Sequence, residues 1–250
     1  MESSHDKLVV LVTGSTGGLG KGIALALARE GFTVALHSRG SVEAGLSFAK
    51  ELPGASYTQA DLTQDDEARR LIHEVLQLHG RLDALVNNAG VTMVAPHHQL
   101  AEASPDIWRS LYEINVIAPW SLIRESEAAL RRSAEYRSEP AAIVNISSHA
   151  GVRPKGASIP YAVSKAALNH MTRLLALALA PSIRVNAVAP GLVDTTRMSQ
   201  WDEARNLWNS RSPMRRPAMP EDIAEIVLLL IRSRYLTGEV VLADGGLNLT

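Results

Sequence analysis

A chain of 250 residues, 46% of them hydrophobic, is long enough to bury one sizeable core, so we expect a single domain over residues 1–250. Its 25 basic and 26 acidic side chains nearly cancel, which argues against nucleic acid or anionic lipid as a partner and favours a small polar molecule. Cysteine is absent, so disulfides, thiolate catalysis and cysteine-ligated zinc are excluded and a reducing, cytoplasmic setting is indicated. The longest apolar runs (8–12, 174–180 and 226–231) are too short to span a bilayer, and residues 1–7 lack the pattern of a signal peptide, so we expect a soluble protein.

Short β-rich runs alternate with longer helical patterns along the chain. Seven strands are predicted, at 8–12, 33–37, 56–60, 82–87, 142–146, 183–188 and 240–243. Apolar residues at helical spacing predict helices at 21–30, 64–79, 104–134, 161–180 and 221–233. The strands are continuously apolar, which is typical of a parallel sheet covered by helices on both faces. The connection 134–140 and the segment 195–220 are predicted to be irregular.

A glycine-rich turn follows the first predicted strand and leads into an alanine-rich helix. It reads Thr-Gly-Ser-Thr-Gly-Gly-Leu-Gly over residues 13–20. Glycine lets the backbone turn tightly and approach a pyrophosphate, whose charge is favoured by the free amides and dipole of the helix that follows. The position between a strand and a helix predicts a dinucleotide phosphate site, and a simple tight turn is the alternative.

The end of the second predicted strand indicates which dinucleotide is bound. An acidic residue ~20 positions after the glycines would bind both ribose hydroxyls and repel a 2′-phosphate. Ser38 and Arg39 stand there instead. Serine can donate a hydrogen bond to a phosphate, and arginine can pair with it or stack on adenine. The sequence therefore predicts NADP(H) in preference to NAD(H), with a merely solvated Arg39 as the alternative.

Tyr161 and Lys165 are four residues apart in a predicted helix and so lie on one face. A phenol with a pKa of ~10 is a poor acid at neutral pH, but an ammonium and a cationic nicotinamide beside it would lower that pKa. Tyr161 would then exchange a proton with a substrate. Ser148, thirteen residues before Tyr161, ends the fifth predicted strand, where open α/β sheets bind their ligands.

Five ordered motifs resemble those of the short-chain dehydrogenase/reductase family, and the resemblance covers nearly the whole chain. They are Thr-Gly-x-x-x-Gly-x-Gly at 13–20, Asn-Asn-Ala-Gly at 87–90, Asn115, Ser148 with Tyr161-x-x-x-Lys165, and Pro190-Gly191. The resemblance implies a Rossmann-type, doubly wound α/β fold with a seven-stranded parallel sheet. It also implies an NADP(H)-dependent oxidoreductase of a carbonyl or secondary alcohol, a homotetramer, and closest likeness to the 3-oxoacyl thioester reductases.

The resemblance further implies roles for single residues. Ser148 would hydrogen-bond the substrate oxygen, and Tyr161 would exchange the proton. Lys165 would lower the pKa of Tyr161 and bind the nicotinamide ribose, while Asn115 would hold a water linking Lys165 to solvent. The implied cofactor contacts are Gly14, Ser15, Gly18, Leu19 and Gly20 at the phosphates, Ser38, Arg39, Asp61 and Leu62 at the adenine end, Asn88, Ala89 and Gly90 at the adenosine ribose, Tyr161 and Lys165 at the nicotinamide ribose, and Pro190, Gly191, Val193 and Thr195 at the nicotinamide.

Four of these assignments have a plainer alternative. Ser147 could be the working serine in place of Ser148. Asn115 could satisfy only backbone groups inside its helix, and Asp61 could cap the helix that follows it. His149 could touch the substrate or point to solvent. No group of side chains has the spacing of a metal site, so no metal is predicted.

The segment 195–220 is a candidate substrate lid. Its apolar side chains could close over a substrate, or they could make ordinary packing or subunit contacts: Met198, Trp201, Trp208 and Met214. Three cations near the expected pocket mouth hint at an anionic substrate, namely Arg153, Lys155 and Arg197.

The substrate itself is left open between several classes. Residues 174–180 contain no cation, whereas carrier-protein reductases often have one there, which counts against acyl carrier protein. Residues 179–186 also resemble pteridine-reductase-like proteins, but Gly17 stands where those have arginine. A sugar or steroid alcohol is a further alternative. A non-catalytic, NADP-binding regulatory protein is disfavoured because the Asn, Ser, Tyr and Lys set is complete.

Overall fold

The computed structural model describes residues 7–195 and 201–250. Within these residues the strands are β1 (Val9–Val12), β2 (Thr33–Ser38), β3 (Ser56–Gln59), β4 (Ala84–Asn87), β5 (Ala141–Ile146), β6 (Ile183–Pro190) and β7 (Val240–Ala243). The helices are α1 (Gly18–Arg29), α2 (Val42–Glu51), α3 (Asp65–His79), α4 (Pro105–Tyr112), α5 (Ala118–Arg137), α6 (Ile159–Leu179), α7 (Asp202–Arg211) and α8 (Pro220–Arg232). A π-helical turn, Glu113–Ile117, joins α4 directly to α5.

The seven strands form one parallel sheet in the order β3-β2-β1-β4-β5-β6-β7. The strand order changes direction between β1 and β4, and open α/β sheets bind ligands in the crevice at such a point, outside the carboxyl ends of the strands. The predicted doubly wound α/β fold is confirmed, and its topology places the candidate site at the ends of β1, β4, β5 and β6.

Both faces of the sheet are buried. In β1, Val9 and Leu11 pack in a core with α3, α5 and α6, whereas Val10 and Val12 pack with α1, α2 and α8. This two-sided burial explains why the strands are continuously apolar. Within the described ranges, no helix combines the length and the apolar character that crossing a bilayer requires.

The helices differ from the prediction in three places. α2 was not predicted, because it contains Gly45; a Cβ there would lie 2.1 Å from the Tyr57 ring, so packing rather than helix propensity selects glycine. α7 lies in the segment expected to be irregular; none of its residues is fully buried, although Ala204, Leu207 and Trp208 are partly buried. The long predicted helix is real, but the π turn interrupts it and α5 continues to Arg137.

Candidate active site

The glycine-rich turn lies between β1 and α1, at the carboxyl edge of the sheet. Gly14 and Gly18 have φ angles of 63° and 53°, which favour glycine. A Cβ on Gly20 would lie 2.2 Å from the Gly14 carbonyl oxygen, so a side chain cannot be accommodated without a backbone shift. The Asn88 Nδ2 donates to the carbonyls of Thr13 (2.8 Å) and Gly14 (3.1 Å), which ties the end of β4 to the turn.

The start of α1 fits the pyrophosphate of a dinucleotide. No side chain caps this helix at Gly17, and its first turn contains no acidic residue. Its free amides are therefore suited to an anion. Thr195, beyond the end of β6, comes within 3.7 Å of the position that a Cβ of Gly18 would take. Two segments that the sequence assigns to the cofactor, far apart along the chain, thus meet in space.

The two residues predicted to select NADP(H), Ser38 and Arg39, differ in their exposure at the end of β2. Ser38 is buried, and its hydroxyl is bonded to the Tyr57 hydroxyl (2.8 Å) and accepts from the Ser41 amide (3.1 Å). Arg39 is exposed, and its backbone carbonyl accepts from the Gln59 side chain (2.7 Å). The guanidinium of Arg39 is therefore open to a ligand, whereas the hydroxyl of Ser38 is occupied within the protein.

Asp61 stabilises the turn between β3 and α3. Its carboxylate accepts from the amide (3.1 Å) and hydroxyl (2.8 Å) of Thr63, and α3 has Gln64 at its N-cap, so Asp61 caps the turn before the helix rather than the helix. The Thr63 amide lowers the pKa of Asp61 most, and the charge of Arg39 lowers it further. The side chain of Leu62 is buried in the core, which leaves only its backbone to face a cofactor.

His37, in β2, was missed by sequence reasoning. Its ring is buried, with Nδ1 accepting from the Gly14 amide (3.2 Å) and Nε2 bonded to the Ala60 carbonyl (3.0 Å). The Ser15 hydroxyl accepts from the His37 amide (2.9 Å), and the Ser15 amide donates to the His37 carbonyl (2.9 Å). The sequence feature that could have pointed to His37 is a histidine within an otherwise apolar strand. These bonds join β2 to the glycine-rich turn.

Asn115 lies in the π turn and is fully buried. Its Nδ2 donates to the Val91 carbonyl (3.0 Å) and the Ser164 hydroxyl (3.0 Å), and its Oδ1 accepts from the Val91 amide (3.0 Å). Asn115 therefore satisfies backbone groups beyond β4 rather than inside its own helix. A Cβ on Gly90 would lie 3.0 Å from the Asn115 Oδ1 and 3.4 Å from the Lys165 Nζ, so Gly90 passes directly between these side chains.

Lys165 is buried in α6, and its Nζ donates to the Ile146 carbonyl at the end of β5 (2.8 Å). Burial lowers the pKa of Lys165 to about 8. The Ser147 hydroxyl donates to the Lys165 carbonyl (3.2 Å) and is buried between β5 and α6. Ser147 is thereby committed to packing, which favours Ser148 as the working serine.

Tyr161 and Ser148 are hydrogen-bonded to each other. Burial raises the pKa of Tyr161, and the bond to Ser148 lowers it by less. Lys165 donates to the Ile146 carbonyl, and its burial disfavours its own charged form. Tyr161 therefore holds its proton at neutral pH, as a proton donor to a carbonyl must. The lowering of the Tyr161 pKa by Lys165 and a bound nicotinamide stays a prediction.

His149 follows Ser148 and is buried rather than turned to solvent. Its Nε2 lies 3.4 Å from the Asp244 carboxylate, and its ring meets the Trp208 indole edge-on at 6.3 Å. Burial lowers the pKa of His149, and Asp244 raises it by less. Trp208 also covers Gly191, where a Cβ would lie 2.9 Å from the indole. These contacts connect α7 to the ends of β5, β6 and β7.

The candidate lid is attached to the end of β6 at both sides of α7. Val193 pairs in parallel with Ala218, and Arg205 makes two bonds to the Asp194 carboxylate (2.8 and 3.0 Å). Met198 lies outside the described residues. Trp201 is partly exposed and Met214 is exposed, so only Trp208 of the four predicted apolar residues is shown against the site.

The three cations predicted at the pocket mouth differ in environment. Arg153 and Lys155 are exposed, and Arg153 donates to the Asn248 side chain. Arg197 lies outside the described residues. In the part of the chain that the structure describes, no group of three His, Asp or Glu side chains could hold a metal ion.

Sequence comparisons identify relatives over almost the full length. A family model described as enoyl-(acyl carrier protein) reductase matches residues 14–248. A protein named ketoacyl reductase 2 of the granaticin polyketide synthase, from Streptomyces violaceoruber, is 45% identical over 248 residues, which cover 96% of each chain. The 3-oxoacyl-[acyl-carrier-protein] reductase FabG of Thermotoga maritima is 34% identical, over 96% of this chain and 97% of that protein. Both relatives are named for reducing a C=O bond, although the family description names an enoyl substrate.

Solved structures agree with these relatives. A crystal structure from Burkholderia xenovorans, described as a short-chain dehydrogenase/reductase, superposes with a TM-score of 0.90 at 34% identity and covers 98% of this chain and 99% of that one. A Brucella melitensis 3-ketoacyl-(acyl-carrier-protein) reductase complexed with NADH has a TM-score of 0.87 at 26% identity (97% and 99% covered), and ElxO with NADP bound has 0.86 at 26% (98% and 100%). These neighbours support a nicotinamide cofactor. The predicted family is confirmed: the chain belongs to the short-chain dehydrogenases/reductases and is an oxidoreductase acting on CH–OH and C=O groups.

Proposed function

We propose that the chain reduces a 3-oxoacyl thioester to the 3-hydroxyacyl thioester with NADP(H). The observation that supports the proposal is the hydrogen bond between Ser148 and Tyr161, with Lys165 one helical turn beyond Tyr161 and with Asn115 and Lys165 both beside Gly90. The relatives named for ketoacyl reduction support the substrate class.

The reduced nicotinamide, when bound, would supply the hydride to the carbonyl carbon. Ser148 accepts a hydrogen bond from the Ala150 amide (3.2 Å), and its own O–H can then donate to the substrate oxygen. Tyr161 would deliver the proton from Oη to the same oxygen. Lys165, with a pKa of about 8, would hold the nicotinamide ribose and return a proton towards Tyr161 near neutral pH. Asn115 would fix the backbone at Val91 beside this path.

The preference for NADP(H) over NAD(H) is assigned to Arg39. Its exposed guanidinium lies at the end of β2, where a 2′-phosphate would bind, and a charge-assisted bond to phosphate is stronger than a neutral one. Ser38 contributes less, because its hydroxyl is already bonded to Tyr57 and Ser41.

A substrate panel tests the function. Purified protein is assayed with NADPH and NADH side by side against 3-oxoacyl thioesters, simple ketones, sugars and pterins. We expect the highest kcat/KM with NADPH and a 3-oxoacyl thioester, and loss of turnover in Tyr161→Phe. Turnover that survives this substitution would contradict the mechanism. Binding of NADPH without turnover of any compound would indicate a regulatory protein. A higher kcat/KM with a sugar than with a 3-oxoacyl thioester would assign the protein to a different substrate class.

A homotetramer is proposed as the working assembly. Apolar side chains lie exposed along the π turn, α5 and α6, as a subunit interface would require: Ile117, Trp120, Val163, Leu174 and Leu177. Light scattering of the purified protein tests this, and a strict monomer would contradict it. A cytoplasmic location is likewise proposed, and cell fractionation would test it.

A further inference from the structure

His37 is a polar residue in the interior of the sheet. Its side chain is only 2% exposed, and a buried polar group is stable only where its atoms are hydrogen-bonded. Both ring nitrogens meet this condition, Nδ1 at 3.2 Å from the Gly14 amide and Nε2 at 3.0 Å from the Ala60 carbonyl. These partners stand 23 residues before and 23 residues after His37. The ring therefore spans from the glycine-rich turn to the end of β3.

The two partners determine the protonation of the ring. A backbone N–H only donates and a carbonyl only accepts, so Nδ1 must be bare and Nε2 must bear the proton. A doubly protonated ring would direct one N–H against the Gly14 N–H. Burial lowers the pKa of His37 to about 4, although the bond to the Ala60 carbonyl and, less, the charge of Asp61 raise it. His37 is thus neutral near physiological pH.

The bonds of His37 fall on the residues that shape the turn. Gly14 has a left-handed φ of 63°, with its amide held by the His37 ring and its carbonyl held by Asn88 (3.1 Å). Ser15 is bonded twice to the His37 backbone, through its amide and its hydroxyl. The turn then runs into the uncapped start of α1. Its backbone shape is therefore set from β2 as well as from β4.

We propose that His37 is a positioning residue for the cofactor, one that holds the Gly14 amide and with it the turn in the shape that receives the pyrophosphate. The inference rests on the dinucleotide site proposed above. A histidine that merely filled space in the sheet would contribute to folding stability, but once the protein had folded it would not affect the affinity for NADPH.

Two amide substitutions separate the two ring bonds. In His37→Asn, Oδ1 can take the place of Nδ1 and accept from Gly14, but the side chain is too short to reach Ala60. In His37→Gln, Nε2 can take the place of the ring Nε2 and donate to Ala60, but no acceptor faces Gly14. We expect His37→Gln to raise the Kd for NADPH by about 3- to 10-fold, the loss of one hydrogen bond, and His37→Asn to restore much of that affinity. The change should appear in the KM for NADPH, with kcat at saturation nearly constant.

His79 provides the matched control. It is partly buried, and its Nε2 is bonded to the Ser56 hydroxyl (2.8 Å), away from the turn. His79→Gln should alter thermal stability without altering the Kd for NADPH. If His37→Gln does not fold, His37→Ala removes both bonds and should show the same weakening.

Three outcomes would count against the proposal in different ways. Equal affinity for NADPH in the Asn variant and in the Gln or Ala variant would overturn the positioning role, whatever their stability. Weakening by His79→Gln to the same degree would show a general effect of loosening the sheet. A wild-type protein that bound neither NADPH nor NADH would overturn the proposed function, and the inference with it.

Discussion

The glycine-rich turn and the segment after β6 both lie over the carboxyl edge of the sheet, but they are held differently. The turn is bonded to β2 through His37 and to the end of β4 through Asn88, by partly buried hydrogen bonds to backbone groups. In the described part of the chain, the segment after β6 is held by the Val193–Ala218 pairing, by the Arg205–Asp194 ion pair, and by Trp208 on Gly191.

From this difference we propose a preformed cofactor site and a substrate side that can open. A buried backbone group left without its partner costs about 1–3 kcal/mol, whereas a partly exposed ion pair contributes roughly 0–1 kcal/mol. The turn therefore keeps its shape before any ligand binds. We propose that the segment after β6 opens more readily than the turn, as a lid over a substrate would have to.

The largest expected effect concerns the turn at low pH. The imidazole of His37 has its ordinary pKa of 6.5 in the unfolded chain and about 4 in the folded protein, mainly because of burial. The folded state therefore resists protonation, and the stability that is complete above pH 6.5 is lost as the pH falls towards 4. Over this window the free energy of unfolding of the wild type should fall by about 3 kcal/mol more than that of His37→Asn. Denaturant titrations at a series of pH values measure this, and parallel curves would contradict it.

A paired glycine substitution compares the two regions directly. In Gly20→Ala the new Cβ meets the Gly14 carbonyl at 2.2 Å, whereas in Gly191→Ala it meets the Trp208 ring at 2.9 Å and the Asp244 Cα at 3.0 Å. Because the turn cannot yield and the indole can, we expect Gly20→Ala to weaken NADPH binding about 10- to 100-fold and Gly191→Ala to weaken it less. Titration calorimetry measures both, and a larger loss in Gly191→Ala would reverse the comparison.

The cofactor side should also discriminate between dinucleotides. Arg39→Ala removes the exposed cation at the end of β2, so the KM for NADPH should rise about tenfold while the KM for NADH changes little. Steady-state kinetics with both cofactors measure the ratio. Lys50→Ala, on α2, removes an exposed cation of the same sign as a control. Equal changes in the KM for NADPH and the KM for NADH would contradict the proposal that Arg39 selects NADP(H).

The smallest effect is expected at the candidate lid. Arg205→Ala breaks the ion pair with Asp194, whose side chains are 37% and 31% exposed. We expect a change in the substrate KM of about fivefold at most, with the Kd for NADPH unaltered. Arg211→Ala, at the exposed end of α7, is the control. A loss of NADPH affinity in Arg205→Ala would show that the segment belongs to the cofactor side.

The sheet could be predicted because strands buried on both faces have consecutive apolar residues in the sequence. The strands inside the sheet had to be apolar at consecutive positions, as at Val9 to Val12, whereas the edge strand β3 is mostly polar. The helices that cover the sheet each needed an apolar stripe. α7 has only a short stripe, Ala204, Leu207 and Trp208, that is partly buried, and it is held also by the Arg205–Asp194 ion pair and by Trp208 on Gly191. So short a stripe predicts a helix only weakly.

The candidate site was predictable wherever a short motif determines the geometry. Tyr161 and Lys165 share a helix face, and Ser148 follows the end of β5 by two residues, so local spacing and sheet topology predict that these side chains lie at one edge of the sheet. His37 could not be assigned, because both of its partners are 23 residues away. The state of Tyr161 could not be predicted from the sequence either, because its pKa depends on burial and on the hydrogen bond to Ser148.

The π turn at Glu113–Ile117 restricts which changes in chain length the segment from α4 to α5 can accept. A π turn contains one residue more than the α-helical turn that it replaces, so deleting one residue here would restore regular α-helical bonding without rotating α5 against α4, but the bulge that sets Asn115 against Val91 would be lost. An added residue would instead rotate α5 by ~100° and turn Leu122 and Leu130 out of the core. Single-residue insertions and deletions should therefore be excluded from this stretch, whereas the exposed loop 96–99 can change in length.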